Sequence, residues 1–315
     1  MDGGSLDLPA GASRPSKALR FEFGRLTIGG KLARGFGDER LLPSERELRV
    51  VVVSGRGWVL QGSALPPMVL IPLRRNLRVT DNDSTRILRT GELFFAEAGQ
   101  CQQVVGAGAA LWLALVASPA VWRLLFDATT VSPVPEPLIV PAVHRADRVV
   151  RCAAVRLARA AGADAKNADP MTAALRFIAM LAELQARFEP QIRRCPGRTL
   201  SQRRGVFLRL QRVYNWMESS NDLDLCVAGF ARVANYSPCH FVRTFAAVYG
   251  QTPHTVLMEQ RLQRAHRLVS DTELSITEVA RAAGFEDRCA FARSFKKRFG
   301  IAASAVRRHG VARAA

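Results

Sequence analysis

Two kinds of apolar spacing divide this chain. From Arg20 to Val116 the apolar residues come in short runs, Phe21–Ile28, Leu48–Val53, Gly57–Gln61, Met68–Leu73, Leu77–Thr80, Glu92–Ala96 and Leu111–Val116, separated by Gly, Pro, Asn or Asp. Short β-branched-rich segments at close spacing predict a small antiparallel barrel or sandwich. The clusters Asp81-Asn82-Asp83-Ser84 and Val53-Ser54-Gly55-Arg56-Gly57 predict hairpins, because these residues tolerate turn dihedrals. Residues 1–17 are rich in Gly, Ser, Pro and Asp without a periodic face, and read as a mobile tail.

Beyond Val116 the spacing becomes helical. Asp147–Ala161 is rich in Ala and Arg, and Asp169–Phe188 opens with Asp-Pro, a cap followed by a first-turn proline. Met171, Leu175, Ile178, Leu181 and Leu184 form a stripe along the second of these. Such a stripe serves either a domain core or a dimer interface. Arg193-Arg194-Cys195-Pro196-Gly197-Arg198 reads as a linker. The division that follows is a tail (1–17), an N-terminal domain (18–192), a linker (193–203) and a C-terminal domain (204–315).

One uncharged run, Val105–Trp122, approaches the length of a membrane helix. Gly106, Gly108 and Pro119 interrupt it, so it reads as a buried strand followed by the first turn of a helix, with no membrane span. Six cysteines lie far apart with no C-x-x-C pair, and no signal peptide opens the chain, which points to a reduced, cytoplasmic protein. The net charge is +18, and residues 201–315 hold 18 basic and 9 acidic groups, a net of +9 on about a third of the chain. That suits a polyanionic partner. No His precedes His144, which excludes a His-based metal site in the strand-rich region; no catalytic motif is recognisable, and neither an enzyme nor a cofactor is expected.

The strongest signal is an internal repeat. Val227 to Phe245, continuing to Gly250, resembles Ile276 to Phe295, continuing to Gly300, at an offset of 49 residues up to an internal turn and 50 beyond it. Each copy has a short helix ending at a residue able to adopt a left-handed conformation, Asn235 or Gly284, then an aromatic, Tyr236 or Phe285, then a second helix. This is a helix-turn-helix. In the second helix F-x-R-x-F recurs, as Phe241, Arg243, Phe245 and as Phe291, Arg293, Phe295. At about 100° per residue the phenylalanines share a buried face and the arginine points away, towards solvent or a partner. Arg suits the guanine edge or a phosphate in the major groove. Lys296, Lys297 and Arg298, at the end of the second copy, read as phosphate contacts or solvated charges. Pro253–Val269 between the copies reads as one helix of about 25 Å, able to present two recognition helices to successive major grooves, about 34 Å apart.

Ala-Asn-Tyr-Ser-Pro-x-His-Phe-x-Arg-x-Phe from Ala234, Tyr249-Gly-Gln-Thr-Pro253, Arg261-Leu262-x-x-Ala265, and Ala283-Gly284-Phe285 with Phe291-x-Arg293-x-Phe295-Lys296 together resemble the AraC/XylS family of bacterial transcription regulators, over about Val206–Arg308. The chain departs from that family near its end, where Ala303 and Val306 stand in place of the usual proline and aromatic. The resemblance implies an α+β two-domain protein, with a cupin-like small β-barrel followed by helices and an all-α double helix-turn-helix joined by a linker helix. It implies base-facing residues Cys239, His240, Val242 and Arg243 in the first recognition helix, and Arg288, Cys289, Ala290 and Arg293 in the second. Cys239 and Cys289 occupy matching positions, which suits either thiol sensing or small residues needed near DNA.

The function implied is sequence-specific transcriptional regulation, activation rather than repression, on a non-palindromic site of roughly 20 base pairs. Double-stranded DNA and RNA polymerase are the expected partners, with a small-molecule effector or a homodimer formed through the N-terminal domain. The alternative is an architectural or replication-associated DNA-binding protein whose N-terminal domain serves assembly.

Overall fold

The computed structural model describes residues 5–6, 19–28, 43–61, 65–80, 85–101, 103–129, 139–162, 169–219 and 226–307. The chain falls into two compact units, Met1–Arg193 and Arg194–Ala315.

Among the described residues the first unit is built on one sheet of nine strands: β1 (Ser5–Leu6), β2 (Leu19–Ile28), β3 (Glu47–Gln61), β4 (Met68–Arg74), β5 (Leu77–Thr80), β6 (Thr85–Leu88), β7 (Glu92–Ala96), β8 (Gln103–Ala117) and β9 (Ala142–Arg145). The main path runs β1-β2-β3-β8-β4-β7-β9, with the β5/β6 hairpin attached to β8. Among the described residues this sheet is open, whereas the strand spacing predicted a small antiparallel barrel or sandwich and the resemblance a cupin-like small β-barrel. It is also not wholly antiparallel, since β2 lies parallel to β3 with Phe21 opposite Leu48.

The central pair β3 and β8 explains where the sequence reading fell short. Val53–Gly57 is not a hairpin turn: β3 continues through it, and the Gly and Ser residues are absorbed as register shifts against β8 between Gly55 and Gly57 and again between Trp58 and Leu60. A long partner strand that supplies hydrogen bonds on both sides of a glycine-rich patch outweighs the local turn preference. The other expected turn, Asp81–Ser84, lies outside the described residues, but its flanks pair as foreseen, with Thr80 opposite Thr85.

Alternation along the strands buries both faces. Leu113 and Leu115 on β8, Val50 and Val52 on β3, and Val69 and Ile71 on β4 enter one core, together with Trp122 and Phe126 of α1 (Pro119–Thr129), Leu157 of α2 (Arg148–Ala161), and Phe177, Ile178, Leu181 and Leu184 of α3 (Pro170–Ala186). The α3 stripe therefore belongs to the domain core, with Met171 and Leu175 packed at its margin. Trp112, Ala114, Val53, Met68 and Leu70, from the opposite face of the same strands, enter a second core to which no described helix contributes. The second face is thus covered by residues of other strands, including Leu77 and Val79 of β5 and Leu88 of β6, where the first is covered by helices. The uncharged run Val105–Trp122 is the end of β8 and the start of α1, and no described helix is long and apolar enough to cross a membrane.

Caps set the helix starts. Asp147 accepts from the Val150 amide at 2.9 Å, and Asp169 accepts from the Met171 and Thr172 amides at 3.0 and 3.1 Å. The unit ends in α4 (Glu189–Arg194).

The second unit is helical: α5 (Leu200–Ser219), α6 (Val227–Val233), α7 (Pro238–Tyr249), α8 (Pro253–Asp271), α9 (Ile276–Ala282) and α10 (Arg288–Phe299), with residues 303–307 also helical. Helix α8 touches α5 and α7 of the first copy's half and α9 and α10 of the second's. Its Leu262, Ala265 and Val269 join Val279, Phe285, Phe291 and Phe295 in one core, in which Ala303 is buried and against which Val306 packs.

Candidate nucleic-acid interface

Each helix-turn-helix is built by the same backbone device. At the first turn Asn235 has φ 58°, its amide donates to the Arg232 carbonyl at 3.0 Å, and the Tyr236 amide donates to the Ala231 carbonyl at 2.8 Å. At the second Gly284 has φ 85°, its amide donates to the Arg281 carbonyl at 2.9 Å, and the Phe285 amide donates to the Ala280 carbonyl at 2.9 Å. A left-handed residue flanked by these two bonds satisfies the last carbonyls of the first helix and redirects the chain. The recognition helices α7 and α10 then end alike, at Gly250 (φ 73°) and Gly300 (φ 77°).

Within α7 and α10 the phenylalanines 241, 245, 291 and 295 are fully buried, and each pair lies 5.5 Å apart between ring centroids. Arg243 and Arg293 are exposed, on the opposite side. Of the other candidate residues, Cys239, His240, Arg288, Cys289, Lys296 and Lys297 are exposed, while Val242 and Ala290 are half-buried. In α10, Cys289, Arg293, Lys296 and Lys297 follow one another at spacings of four, three and one and share a face. In α7 the matching stripe is Cys239, Arg243, Ala246 and Ala247.

The supports of the two helices differ. Asp287 accepts from the Cys289 and Ala290 amides at 2.9 and 3.0 Å, and these bonds hold its carboxyl below the usual range. Helix α9 begins with a full capping box: Ser275 accepts from the Glu278 amide at 3.2 Å, and the Ser275 amide donates to Glu278 at 2.7 Å. In the first copy neither Cys226 nor Ser237 caps its helix with a side chain. There Tyr236 is half-buried, its ring 4.8 Å from that of His240, with the Arg209 guanidinium over it at 5.6 Å and donating to its hydroxyl at 3.3 Å. His240 Nε2 lies 3.5 Å from Thr244 Oγ1. In the second copy Phe285 is buried and meets Phe291 edge-on at 5.1 Å.

Arg298 separates from its lysine neighbours. Its Nε donates to both oxygens of Glu259, at 2.8 and 2.6 Å, tying α10 to α8. The pairing lowers the Glu259 carboxyl and raises Arg298. Sequence reasoning missed Glu259, whose partner is 39 residues away, and also helix α5 with Arg209. Val206, Leu210, Val213 and Met217 nonetheless form a helical stripe that marks α5.

Two turn-helix units of this geometry, sharing one helix, define a double helix-turn-helix DNA-binding domain. Residues 230–309 match the family model described as "Helix-turn-helix domain". Similar curated proteins include the virulence regulon transcriptional activator VirF of Yersinia enterocolitica, 31% identical over 97 residues, 31% of this chain and 36% of that protein. Another is the HTH-type transcriptional regulator ExsA of Pseudomonas aeruginosa, 30% identical over 98 residues, 31% of this chain and 35% of that protein. Among solved structures, a transcriptional regulator from Chromobacterium violaceum described by its AraC-type DNA-binding domain is 26% identical, with a TM-score of 0.31, covering 34% of this chain and 96% of that one. The C-terminal unit thus carries a helix-turn-helix domain over residues 230–309. The chain spans about a third of the length of the curated relatives it matches.

Proposed function

We propose that this chain is a sequence-specific transcriptional regulator that reads double-stranded DNA through α7 and α10 and acts as an activator. The observation that carries the reading is the pair of recognition helices with matching turns, identically buried phenylalanines and an exposed arginine at the matched position of each, Arg243 and Arg293. An isolated exposed arginine is a surface charge; two on matched frames, in a domain whose relatives are named as regulators, are a paired reading device.

Cys239, His240, Val242 and Arg243 face one groove; Arg288, Cys289, Ala290 and Arg293 face the next, and Lys296 and Lys297 meet phosphates. Helix α8, with 19 residues, is about 28 Å long, commensurate with the roughly 34 Å between successive grooves. Because the two helices differ in sequence, the site is non-palindromic and about 20 base pairs long. Residues 18–192 act as a cupin-like sensor or dimerisation domain, answering a small ligand or joining two copies, with 204–315 as the DNA-binding domain. The protein works in the cytoplasm with RNA polymerase as partner, and the names of relatives such as VirF support activation.

Footprinting of the full chain on genomic fragments tests this. A bounded protected site beside a promoter, with transcription in vitro rising on addition of the protein, is the expected result. Broad protection that ignores sequence would instead establish an architectural role.

A further inference from the structure

The two recognition helices sit on the same frame but carry different surfaces. Helix α7 bears a single fixed cation, Arg243, among Cys239, His240, Val242, Ala246 and Ala247. Helix α10 bears five: Arg288, Arg293, Lys296, Lys297 and Arg298, the last engaged by Glu259. The contrast falls on matched positions, since at the repeat's offset of 50 Ala246 and Ala247 correspond to Lys296 and Lys297. It also extends beyond the helices. Residues 226–258 hold two basic and no acidic groups, whereas 275–307 hold seven basic and three acidic, one of which, Asp287, is spent on capping α10.

These surfaces favour different kinds of contact. Lysine is a flexible point charge that finds phosphate on any sequence, and each phosphate neutralised adds about 0.9 to the salt slope of binding. Small neutral side chains contribute little to that slope and recognise base edges and thymine methyls through fit. Such readers gain from being held in place, because ordering them on binding is costly. His240 is held: its ring lies against Tyr236, which is in turn stacked under Arg209 and hydrogen-bonded to it. Lys296 and Lys297 have no such support among the described residues.

We infer that the two helices divide the work, α7 supplying most of the sequence discrimination, with His240 as a specificity-determining residue, and α10 most of the salt-dependent, sequence-insensitive hold on the backbone. This rests on the DNA-binding reading above.

The test measures affinity of the full chain for its footprinted duplex, and for duplexes with either half randomised, across about 50 to 200 mM salt. The α7 half is the one whose protection is lost with Arg243→Ala. Randomising it weakens binding at least about tenfold more than randomising the other half, the scale of one base contact. The double variant Lys296→Ala/Lys297→Ala lowers the slope by about 1.8 and weakens every duplex by the same factor. His240→Ala leaves the slope in place and narrows the gap between native and α7-randomised duplexes. Ala247→Lys, at an exposed site, steepens the slope by about 0.9 and does not depend on tolerating a deletion. Equal costs for the two halves, a sequence-dependent loss in the lysine variant, or an unmoved slope in Ala247→Lys overturns the division alone. A wild-type chain that prefers no duplex overturns the DNA-binding reading beneath it.

Discussion

The first and second helix-turn-helix copies make the same backbone turn and hold it by different means. In the first, Asn235 takes the left-handed conformation and a half-exposed Tyr236 leans on side chains from α5 and α7; in the second, Gly284 takes it and Phe285 is buried in the core. Both copies pack aromatics on the second phenylalanine, Phe245 against Tyr214 and Tyr249 and Phe295 against His266 and Phe299, but only the second copy also caps both its helices with side chains and pins α10 to α8 through Arg298. Aromatic packing is thus common to the two copies, and polar termination is an addition that the local geometry does not require. What the copies cannot exchange is the buried phenylalanine pair and the left-handed turn residue, because these define where the recognition helix points.

The largest effects should come from that shared part. Phe245→Ala and Phe295→Ala are each expected to cost about 3–5 kcal/mol in denaturant unfolding, since each empties a fully buried ring position. A loss under 1 kcal/mol in either would show that the two cores are not equivalent.

Smaller effects probe the turn. Gly284→Val forces a β-branched residue to positive φ and should cost about 1–2 kcal/mol, as should Asn235→Val, whereas Asn235→Gly should leave stability unchanged or raised. A tolerated valine at either turn would break the claim that both depend on the left-handed conformation.

The smallest effect separates the copies by pH. The Arg298 hydrogen bonds hold Glu259 below the ordinary carboxylate range, so their contribution is present above the unfolded carboxylate pKa and is lost as pH falls through the lower folded value. Acid titration of wild type against Glu259→Gln should show a steeper loss of stability in wild type below about pH 4.5. Identical acid profiles would remove Glu259 from the account.

Much of the C-terminal unit was legible because its signals are local. Asn235 and Gly284 before an aromatic, and F-x-R-x-F at helical spacing, need only a few residues to declare a turn and a buried face. The cap Asp169 was readable for the same reason. The sheet was less so, because its organisation depends on partners far along the chain. Ser54, Gly55 and Gly57 look like a turn until β8 is laid against them, and the parallel pairing of β2 with β3 has no local mark. Strands β6 and β9, with the sequences Thr-Arg-Ile-Leu and Ala-Val-His-Arg, were not read, since each is short and holds two polar residues. At the candidate interface, exposure of Arg243 and Arg293 followed from helical geometry, but the distinction of Arg298 from Lys296 and Lys297 waited on Glu259 from another helix.

The central claim is that two recognition helices read adjacent grooves, each through its own arginine. The most direct measurement is a single-base substitution scan of the footprinted site with wild type, Arg243→Ala and Arg293→Ala. The account predicts that each variant binds about 1–3 kcal/mol more weakly and loses its preference at one position, the two positions lying about one helical turn apart. Base preferences left intact by both substitutions, or lost at the same position in each, would contradict it.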